Sequence, residues 1–157
     1  MASAIDVANY LAWLAESDED NDLITHLRMQ KFLYYTQGWS LGTTGEPLFD
    51  EEIIAYPNGP VVHRAHGELK RFGRDTIHAD TCPGDMDNLT DDEMDLVARV
   101  YNTYKTHSAS SLVSMTHNER PWREARGGVP DGMHSNNVIS VESIKSYFSE
   151  LADGQTK

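Results

Sequence analysis

Residues 24–41, "ITHLRMQKFLYYTQGWSL", are the densest apolar stretch of the chain. Read as a helix, this stretch places the polar Gln30 and Lys31 among apolar side chains that cover almost its whole circumference. Those apolar residues are Leu27, Met29, Phe32, Leu33, Tyr34, Tyr35, Trp39 and Leu41. A helix that is apolar nearly all round is usually buried in the middle of a domain. We therefore predict a central helix here, around which the rest of the chain packs.

Capping patterns predict where three further helices begin. Ser3 and Asp6 have the spacing of a capping box, in which two side chains satisfy the free N–H groups of a helix start. Thr90 and Glu93 repeat this spacing. Ser140 is a good N-cap for a last helix. These signals predict a first, a fourth and a final helix.

The remaining helices follow from apolar stripes with helical spacing. A third helix is predicted from about Pro60 to Phe72, and short helices in "SASSLVSMTH" (108–117) and "RPWREA" (120–125). The length of 157 residues suits one domain. The predicted fold is mainly α: a compact single domain over residues 1–157, of about six helices with at most a minimal two-stranded β patch.

The β patch is predicted from two short β-favourable segments. Residues 53–56 stop at Pro57, and the comparable piece "VIS" (138–140) is their expected partner. The following "YPNGPVV" (56–62) contains Asn-Gly, which often marks a hairpin turn. Pro60, however, would start the returning strand without an N–H donor. The sequence therefore predicts a stiff corner that leads into the third helix, rather than a hairpin.

The charge and the cysteine content limit the class of protein. With 25 acidic and 13 basic residues, the net charge is −12, which repels nucleic acid and anionic membranes. It suits a basic protein partner, although solubility alone also explains it. No stretch is long enough to span a bilayer, and the N-terminus lacks the pattern of a signal peptide. A single cysteine, Cys82, excludes an internal disulfide and fits a reducing cytoplasm.

No pattern of catalytic or cofactor-binding residues is present, so we predict no catalytic site, no metal and no cofactor. His63 and His66 are spaced to share a helix face, but a zinc site needs about three or four protein ligands. Cys82 lies in "HADTCPGD", where neighbouring acids raise the pKa of a thiol and weaken it as a nucleophile.

Basic residues are concentrated in two segments of this acidic chain. Residues 63–74 carry four cations against Glu68, and residues 120–126 carry three more. If the two segments share a face, they form a basic patch for phosphate or for acids on a protein partner. Alternatively, the cations only solvate helix surfaces. The cations are Arg64, Lys70, Arg71, Arg74, Arg120, Arg123 and Arg126.

Three segments together resemble a known family. "LRMQKFLYYTQGWSL", "GEPLFDEEIIAYPNGPVV" and "THNERPWREA" are similar, in this order, to the Panacea antitoxin domain, a SocA-like, phage-associated group. Pro57 stands where family members often carry an aromatic or basic residue. The family pattern falls on Leu27, Gln30, Lys31, Leu33, Tyr34, Pro47, Leu48, Phe49, Glu51, Ala55, Gly59, Pro60, Val61, His117, Pro121 and Trp122.

The resemblance implies a mostly helical antitoxin from a bacterial or phage toxin–antitoxin operon. Such proteins neutralise a toxin encoded next door, usually by direct binding without catalysis. Alternatives are an adaptor that delivers the toxin to a protease and a nucleic-acid-binding transcriptional regulator. The acidic total argues against nucleic acid as a partner, no membrane contact is expected, and a homodimer is a further candidate assembly.

Seven residues are the predicted contacts to a protein partner: Lys31, Tyr34, Tyr56, Asn58, Arg64, Arg71 and Trp122. Aromatic and arginine side chains are typical anchors of such surfaces. For Lys31 and Tyr34 the competing interpretation is that Tyr34 belongs to the core and Lys31 reaches along it to water. For Trp122 it is that this ring and His117 fasten the short helices to the core.

Overall fold

A computed structural model describes residues 1–19 and 23–154 of the chain. Within these residues there are seven α-helices and one antiparallel sheet of two short strands, so the mainly α fold class is confirmed. The acidic stretch "ESDEDND" (16–22) suggests a solvated loop from its sequence; its first two residues belong instead to the first helix, and residues 20–22 lie outside the described part. The helices are α1 (Ala4–Ser17), α2 (His26–Thr44), α3 (His63–Leu69), α4 (Asp91–Tyr104), α5 (Ala109–His117), α6 (Arg120–Arg126) and α7 (Val141–Ala152); the strands are β1 (Ile53–Tyr56) and β2 (Gly59–Val62).

The central position of α2 is confirmed. Thirteen of its 19 residues are buried, and it packs against α1, α4, α5, α7 and β2. Its closest neighbour is α7, because two glycines leave room for that helix. A Cβ atom at Gly38 would lie 2.3 Å from the Phe148 ring, and one at Gly42 would lie 2.6 Å from the Phe148 backbone carbon. The glycines therefore set the distance between α2 and α7.

The three predicted helix starts are confirmed. At α1, the Ser3 side chain accepts from the Asp6 N–H, and Asp6 accepts from the Ser3 N–H in return. Thr90 and Glu93 form the same reciprocal pair at α4. The Ser140 hydroxyl accepts from a backbone N–H in the first turn of α7. Because capping depends on residues three apart, it could be predicted locally.

The prediction of a corner at 56–62 was wrong, because β1 and β2 form a hairpin. Tyr56 pairs with Gly59 and Ala55 with Pro60, so the two turn residues are Pro57 and Asn58. No residue other than glycine has a positive φ in the described chain, and Gly59 adopts φ +110° just after the turn. The Asn-Gly pair therefore does not form the centre of the turn, which differs from the usual Asn-Gly hairpin.

Pro60 is tolerated in β2 because its missing donor would face away from β1. Residues opposite each other in an antiparallel pair alternate between hydrogen-bonded and non-hydrogen-bonded. The Ala55 N–H donates to the Asn137 carbonyl, and the Ala55 carbonyl accepts from Arg126. Both backbone groups of Ala55 therefore point away from β2. Ala55 and Pro60 are thus a non-hydrogen-bonded pair. The helix predicted from Pro60 begins only at His63.

The segment 137–139 lines the other edge of β1. Val138 makes an isolated antiparallel bridge to Ile54, and the Ile139 N–H donates to the Ile53 carbonyl at 2.8 Å. The predicted pairing of 53–56 with 138–140 is therefore present as a bridge, whereas the two-stranded sheet itself is made by β2. Among the described residues, no helix is both long enough and apolar enough to cross a membrane.

Candidate functional site

Two polar side chains of α2 bind the backbone of β2. Gln30 Oε1 accepts from the Val62 N–H at 2.8 Å, and Lys31 Nζ donates to the Pro60 carbonyl at 3.0 Å. These are the two polar residues whose position within the apolar run of α2 needed an explanation. Their position is explained by the outer edge of β2, because unpaired backbone groups in a buried edge need hydrogen-bond partners.

Two aromatic side chains from α5 and α6 bind the backbone where β1 runs into the turn of the hairpin. Trp122 Nε1 donates to the Tyr56 carbonyl at 2.9 Å, and His117 Nε2 donates to the Pro57 carbonyl at 2.7 Å. The two rings stack on each other with centroids 4.2 Å apart. The interpretation of His117 and Trp122 as a cluster that fastens the short helices is supported, and the cluster fastens them to the hairpin.

Arg126 completes a set of five side chains that we name the hairpin clamp: Gln30, Lys31, His117, Trp122 and Arg126. Its guanidinium is buried over the Trp122 ring and donates to the Ala55 carbonyl at 3.0 Å. The same group also binds three carbonyls of the segment after α6, those of Pro130, Asp131 and Met133. Residues from α2, α5 and α6 thereby fix the hairpin through its backbone.

Lys31 is fully buried and does not reach water. Burial lowers the pKa of its ammonium from 10.5 to about 7. Its stem packs on the hairpin, since a Cβ atom at Gly59 would lie 2.9 Å from Lys31 Cε and 2.7 Å from the Thr116 hydroxyl. Gly59 therefore serves two purposes: it adopts a positive φ and it makes room for Lys31.

Glu119, in the connection between α5 and α6, is a second buried ionisable group. Its two carboxylate oxygens accept from the hydroxyls of Tyr34 at 2.9 Å and Tyr35 at 2.8 Å. Burial raises the pKa of Glu119 from 4.5 to about 7, although the two tyrosine hydrogen bonds oppose this shift. The group joins α2 to the start of α6 inside the core.

Histidines surround Tyr56 at the tip of the hairpin. The Tyr56 hydroxyl is 3.1 Å from His63 Nδ1, and its ring lies 5.9 Å from His66 and 5.4 Å from His134. Tyr56 is half-buried, whereas Asn58 in the turn is exposed. The tip is thus an aromatic surface, and the hairpin clamp fixes the backbone that carries it.

A groove of about 260 Å³ opens between this tip, the start of α2 and α3. We name it the tip groove. The apolar side chain of Leu27 is 38% exposed there. Burial is the main cause that lowers the pKa of His26 to about 4, so this ring is neutral near pH 7. Burial is also the main cause that lowers the pKa of His66. The main residues that line the tip groove are His26, Leu27, Tyr56, Pro57, Asn58 and His66.

His63, His66 and Cys82 are the residues that the sequence offered for metal binding or nucleophilic chemistry. Within residues 1–19 and 23–154, no three His, Cys, Asp or Glu side chains are grouped so that they could hold a metal ion. Cys82 is buried, and burial raises the pKa of its thiol to about 12, against the opposing effect of Arg71. A thiol with so high a pKa is a weak nucleophile at neutral pH.

The seven predicted contact residues fall into two groups. Tyr56 and Asn58 lie at the hairpin tip, and Arg64 and Arg71 are exposed on α3 and the 3₁₀ turn after it. The other three, Lys31, Tyr34 and Trp122, are at most 1% exposed. The prediction that these three residues contact a partner at the surface was wrong, because each side chain is enclosed by the hairpin or by the core.

The idea of one basic patch from 63–74 and 120–126 is corrected as well. Arg126 is buried in the hairpin clamp, and Arg120 makes salt bridges to Glu124 and Glu150. By contrast, Arg64, Lys70, Arg71 and Arg74 are exposed. We name these four residues the basic segment. Of the cations predicted at 120–126, Arg123 is also exposed, and it donates to the His117 carbonyl at 2.9 Å.

A comparison with known families agrees with these features. The sequence model of the family described as "Antitoxin SocA-like, Panacea domain" matches residues 29–123, which is more than half of the chain. The chain belongs to this family of antitoxin-like proteins. No curated protein and no solved structure matches it.

The family match covers four of the five clamp residues, and Arg126 lies just beyond it. Sequence reasoning singled out Gln30 and Lys31 because they interrupt an apolar helix. It missed Glu119 as a buried group, and nothing in "THNERPW" distinguishes that acid from an exposed one. It placed Arg126 on the surface, where arginine is normally found.

Proposed function

We propose that this protein is an antitoxin that neutralises the toxin of its own operon by direct protein–protein binding in the cytoplasm. Membership of the Panacea family supports the toxin–antitoxin role. The observation that carries the binding mode is the hairpin tip, which is exposed at Asn58 and rigidly held by the five-residue clamp. A preorganised surface loses little conformational entropy when it binds.

The buried ionisable groups favour binding over catalysis. Lys31 and Glu119 have pKa values near 7, which is the range expected of a general acid or base. Lys31 is 0% exposed and Glu119 is 8% exposed, so a substrate does not reach either of them. Each is instead hydrogen-bonded to a neighbour, which is the arrangement of a structural group.

We further propose that residues 1–157 act as one domain. Helices from both ends of the described chain, α1 and α7, pack against α2. Separation of either end would expose apolar surface on the central helix. Limited proteolysis tests this arrangement: a single protected fragment that retains α1 and α7 is expected, and early loss of either helix would contradict it.

Co-expression with the adjacent gene is the direct test of the antitoxin role. The product of that gene alone should arrest growth, and this protein should restore it. The purified pair should also co-elute from a size-exclusion column. If the neighbour is harmless by itself, or arrests growth equally in the presence of this protein, the proposal is wrong.

The same experiment separates direct binding from delivery to a protease. Under sequestration, an immunoblot shows an unchanged amount of toxin while growth recovers. Under delivery, the toxin disappears as growth recovers and reappears in a strain that lacks the responsible protease. We expect the first result, together with a stable complex.

A further inference from the structure

The tip groove cannot recruit a partner by adding a strand to the hairpin. On the outer edge of β2, the Pro60 carbonyl already accepts from Lys31, and the Val62 N–H already donates to Gln30. Pro60 itself has no N–H to offer. On the other edge, β1 is bonded to residues 137–139. A partner therefore has to be recognised by side chains at the tip and in the groove.

The groove has an apolar floor. Leu27 is 38% exposed although it lies in the first turn of α2, and it shares the groove with Tyr56 and Pro57. An exposed leucine beside a half-buried tyrosine is a suitable seat for one apolar side chain of a partner. The exposed Asn58 at the rim adds an amide that can donate and accept hydrogen bonds.

Two cations lie close to one rim of the groove, which is lined by His66 and Gly73. Lys70 is near enough to His66 for its charge to add to the effects of burial and of His63, which together lower the pKa of His66, and Arg74 follows Gly73 in the chain. Residues 63–74 contain four cations and one acid, a net charge of +3, whereas the whole chain carries −12. No salt bridge within the described residues involves Lys70 or Arg74.

We propose that the tip groove is the docking site for an acidic segment of the toxin that carries an apolar side chain. The apolar side chain sits against Leu27 and Tyr56, while flanking carboxylates face Lys70 and Arg74. This inference rests on the proposed antitoxin function and names the surface and the chemistry through which it acts. Complementary charge at such a rim raises the association rate and selects the partner.

The first test changes the floor of the groove with Leu27→Asp. Leu27 is the second residue of α2, whose first turn has no acidic residue, so the helix dipole favours an acid there and the fold should remain stable. An acid on the floor repels the acidic segment and removes the apolar seat. We expect the Kd for the product of the adjacent gene, made by cell-free synthesis, to rise about tenfold or more.

Val141→Asp is the matched control. Val141 is an exposed apolar residue, 51% accessible, in the first turn of α7. It receives the same chemical change in the same helical setting, outside the tip groove. Its Kd should stay within about twofold of the wild-type value, since substitutions outside the contact have little effect.

The second test reverses the charge of the rim in the double variant Lys70→Glu/Arg74→Glu. We expect about tenfold weaker binding and a shallower dependence of the Kd on salt concentration. The control Arg99→Glu/Lys145→Glu makes the same change in net charge at exposed positions on α4 and α7. It should leave both the Kd and its salt dependence close to those of the wild type.

The outcomes distinguish this inference from the function on which it rests. If the wild-type protein neither binds nor neutralises the product of the adjacent gene, both the antitoxin function and the docking site are wrong. If the wild type binds and both groove variants behave like their controls, the docking site is wrong while the antitoxin function stands. Circular dichroism of each variant, which should match the wild type, shows that lost binding is not lost folding.

Discussion

Two regions pack on α2 by different kinds of contact: helix α7 and the β1–β2 hairpin. The α7 contact is apolar and aromatic. Phe148 is fully buried, and its ring lies 5.6 Å from Tyr34, 5.5 Å from Trp39 and 5.2 Å from Tyr147. The hairpin also buries apolar side chains such as Val62, but in addition directional hydrogen bonds from the five clamp residues hold its backbone.

This difference separates general stability from the placement of one surface. Apolar contacts contribute in proportion to the area they bury and are insensitive to pH. Buried polar groups contribute little net free energy, but an unsatisfied group is costly, so they specify one arrangement. We infer that α7 supplies stability, while the clamp fixes the tip that is proposed to bind the toxin.

The largest effect is expected from Phe148→Ala on the apolar side of the comparison. Removing a fully buried phenyl ring leaves a cavity and should lower the free energy of unfolding by about 3–5 kcal/mol. Urea denaturation measures this loss. Val141→Ala on the exposed face of the same helix should change stability by less than about 0.5 kcal/mol. Equal losses in the two variants would show that Phe148 is not part of a packed core.

Lys31→Met tests the clamp through its pH dependence. Because burial lowers the pKa of Lys31 from 10.5 to about 7, the unfolded chain binds a proton in this range that the folded chain does not. The stability of the wild type should therefore fall as pH drops from 10 to 7, and Met removes this contribution. The stability difference between wild type and variant should shift by about 4 kcal/mol over this interval, in favour of the variant at pH 7.

Urea denaturation at several pH values between 7 and 10 checks this expectation. Lys145→Met, at an exposed position on α7, is the matched control and should not reproduce the shift. A stability difference for Lys31→Met that is the same at pH 7 and pH 10 would contradict a buried amine that is neutral in the fold.

Glu119→Gln should change the pH dependence of stability by a smaller amount, and in the opposite direction: the wild type loses stability as the pH rises. Burial raises the pKa of Glu119 from 4.5 to about 7, so its contribution to stability is complete below pH 4.5 and is lost as pH rises to 7. Gln does not ionise. The variant should gain about 3 kcal/mol relative to the wild type between pH 4.5 and 7.5. Thermal or urea denaturation shows the gain, and the exposed Glu142→Gln serves as the control.

His117→Ala should have the smallest effect and the most local one. It removes the hydrogen bond to the Pro57 carbonyl and the stacking on Trp122, at a cost of about 1–2 kcal/mol. Hydrogen exchange should become faster in β1 and β2 and change little in α2 and α7. An equal increase in all of these elements would show that the hairpin does not open separately from the core.

The helices could be predicted because their signals are local. Capping boxes join residues three apart, and the apolar run of α2 is a property of one short segment. The hairpin was missed for a reason that also concerns distance along the chain. Whether Pro60 harms a strand depends on which neighbour its backbone faces, and the groups that settle this are Asn137 and Arg126.

Of the seven predicted contact residues, only the accessible ones remain candidates for the site. Tyr56, Asn58, Arg64 and Arg71 are accessible enough to contact a partner, and their role as contacts remains a prediction. Tyr34 was predicted as a contact, with the core as the competing interpretation, and the structure places it in the core. A motif does not distinguish a residue that touches a partner from one that holds the touching residue in place.

By itself, the sequence determined a mainly α chain, a central α2 helix, three capped helix starts and membership of an antitoxin family. Only the tertiary structure decided that Lys31 and Trp122 face the hairpin backbone and that Arg126 is buried. The physical reason is that helix formation depends on neighbours in sequence, whereas the burial of a polar group depends on a hydrogen-bond partner supplied from elsewhere in the fold. For Lys31, that partner is a carbonyl 29 residues away.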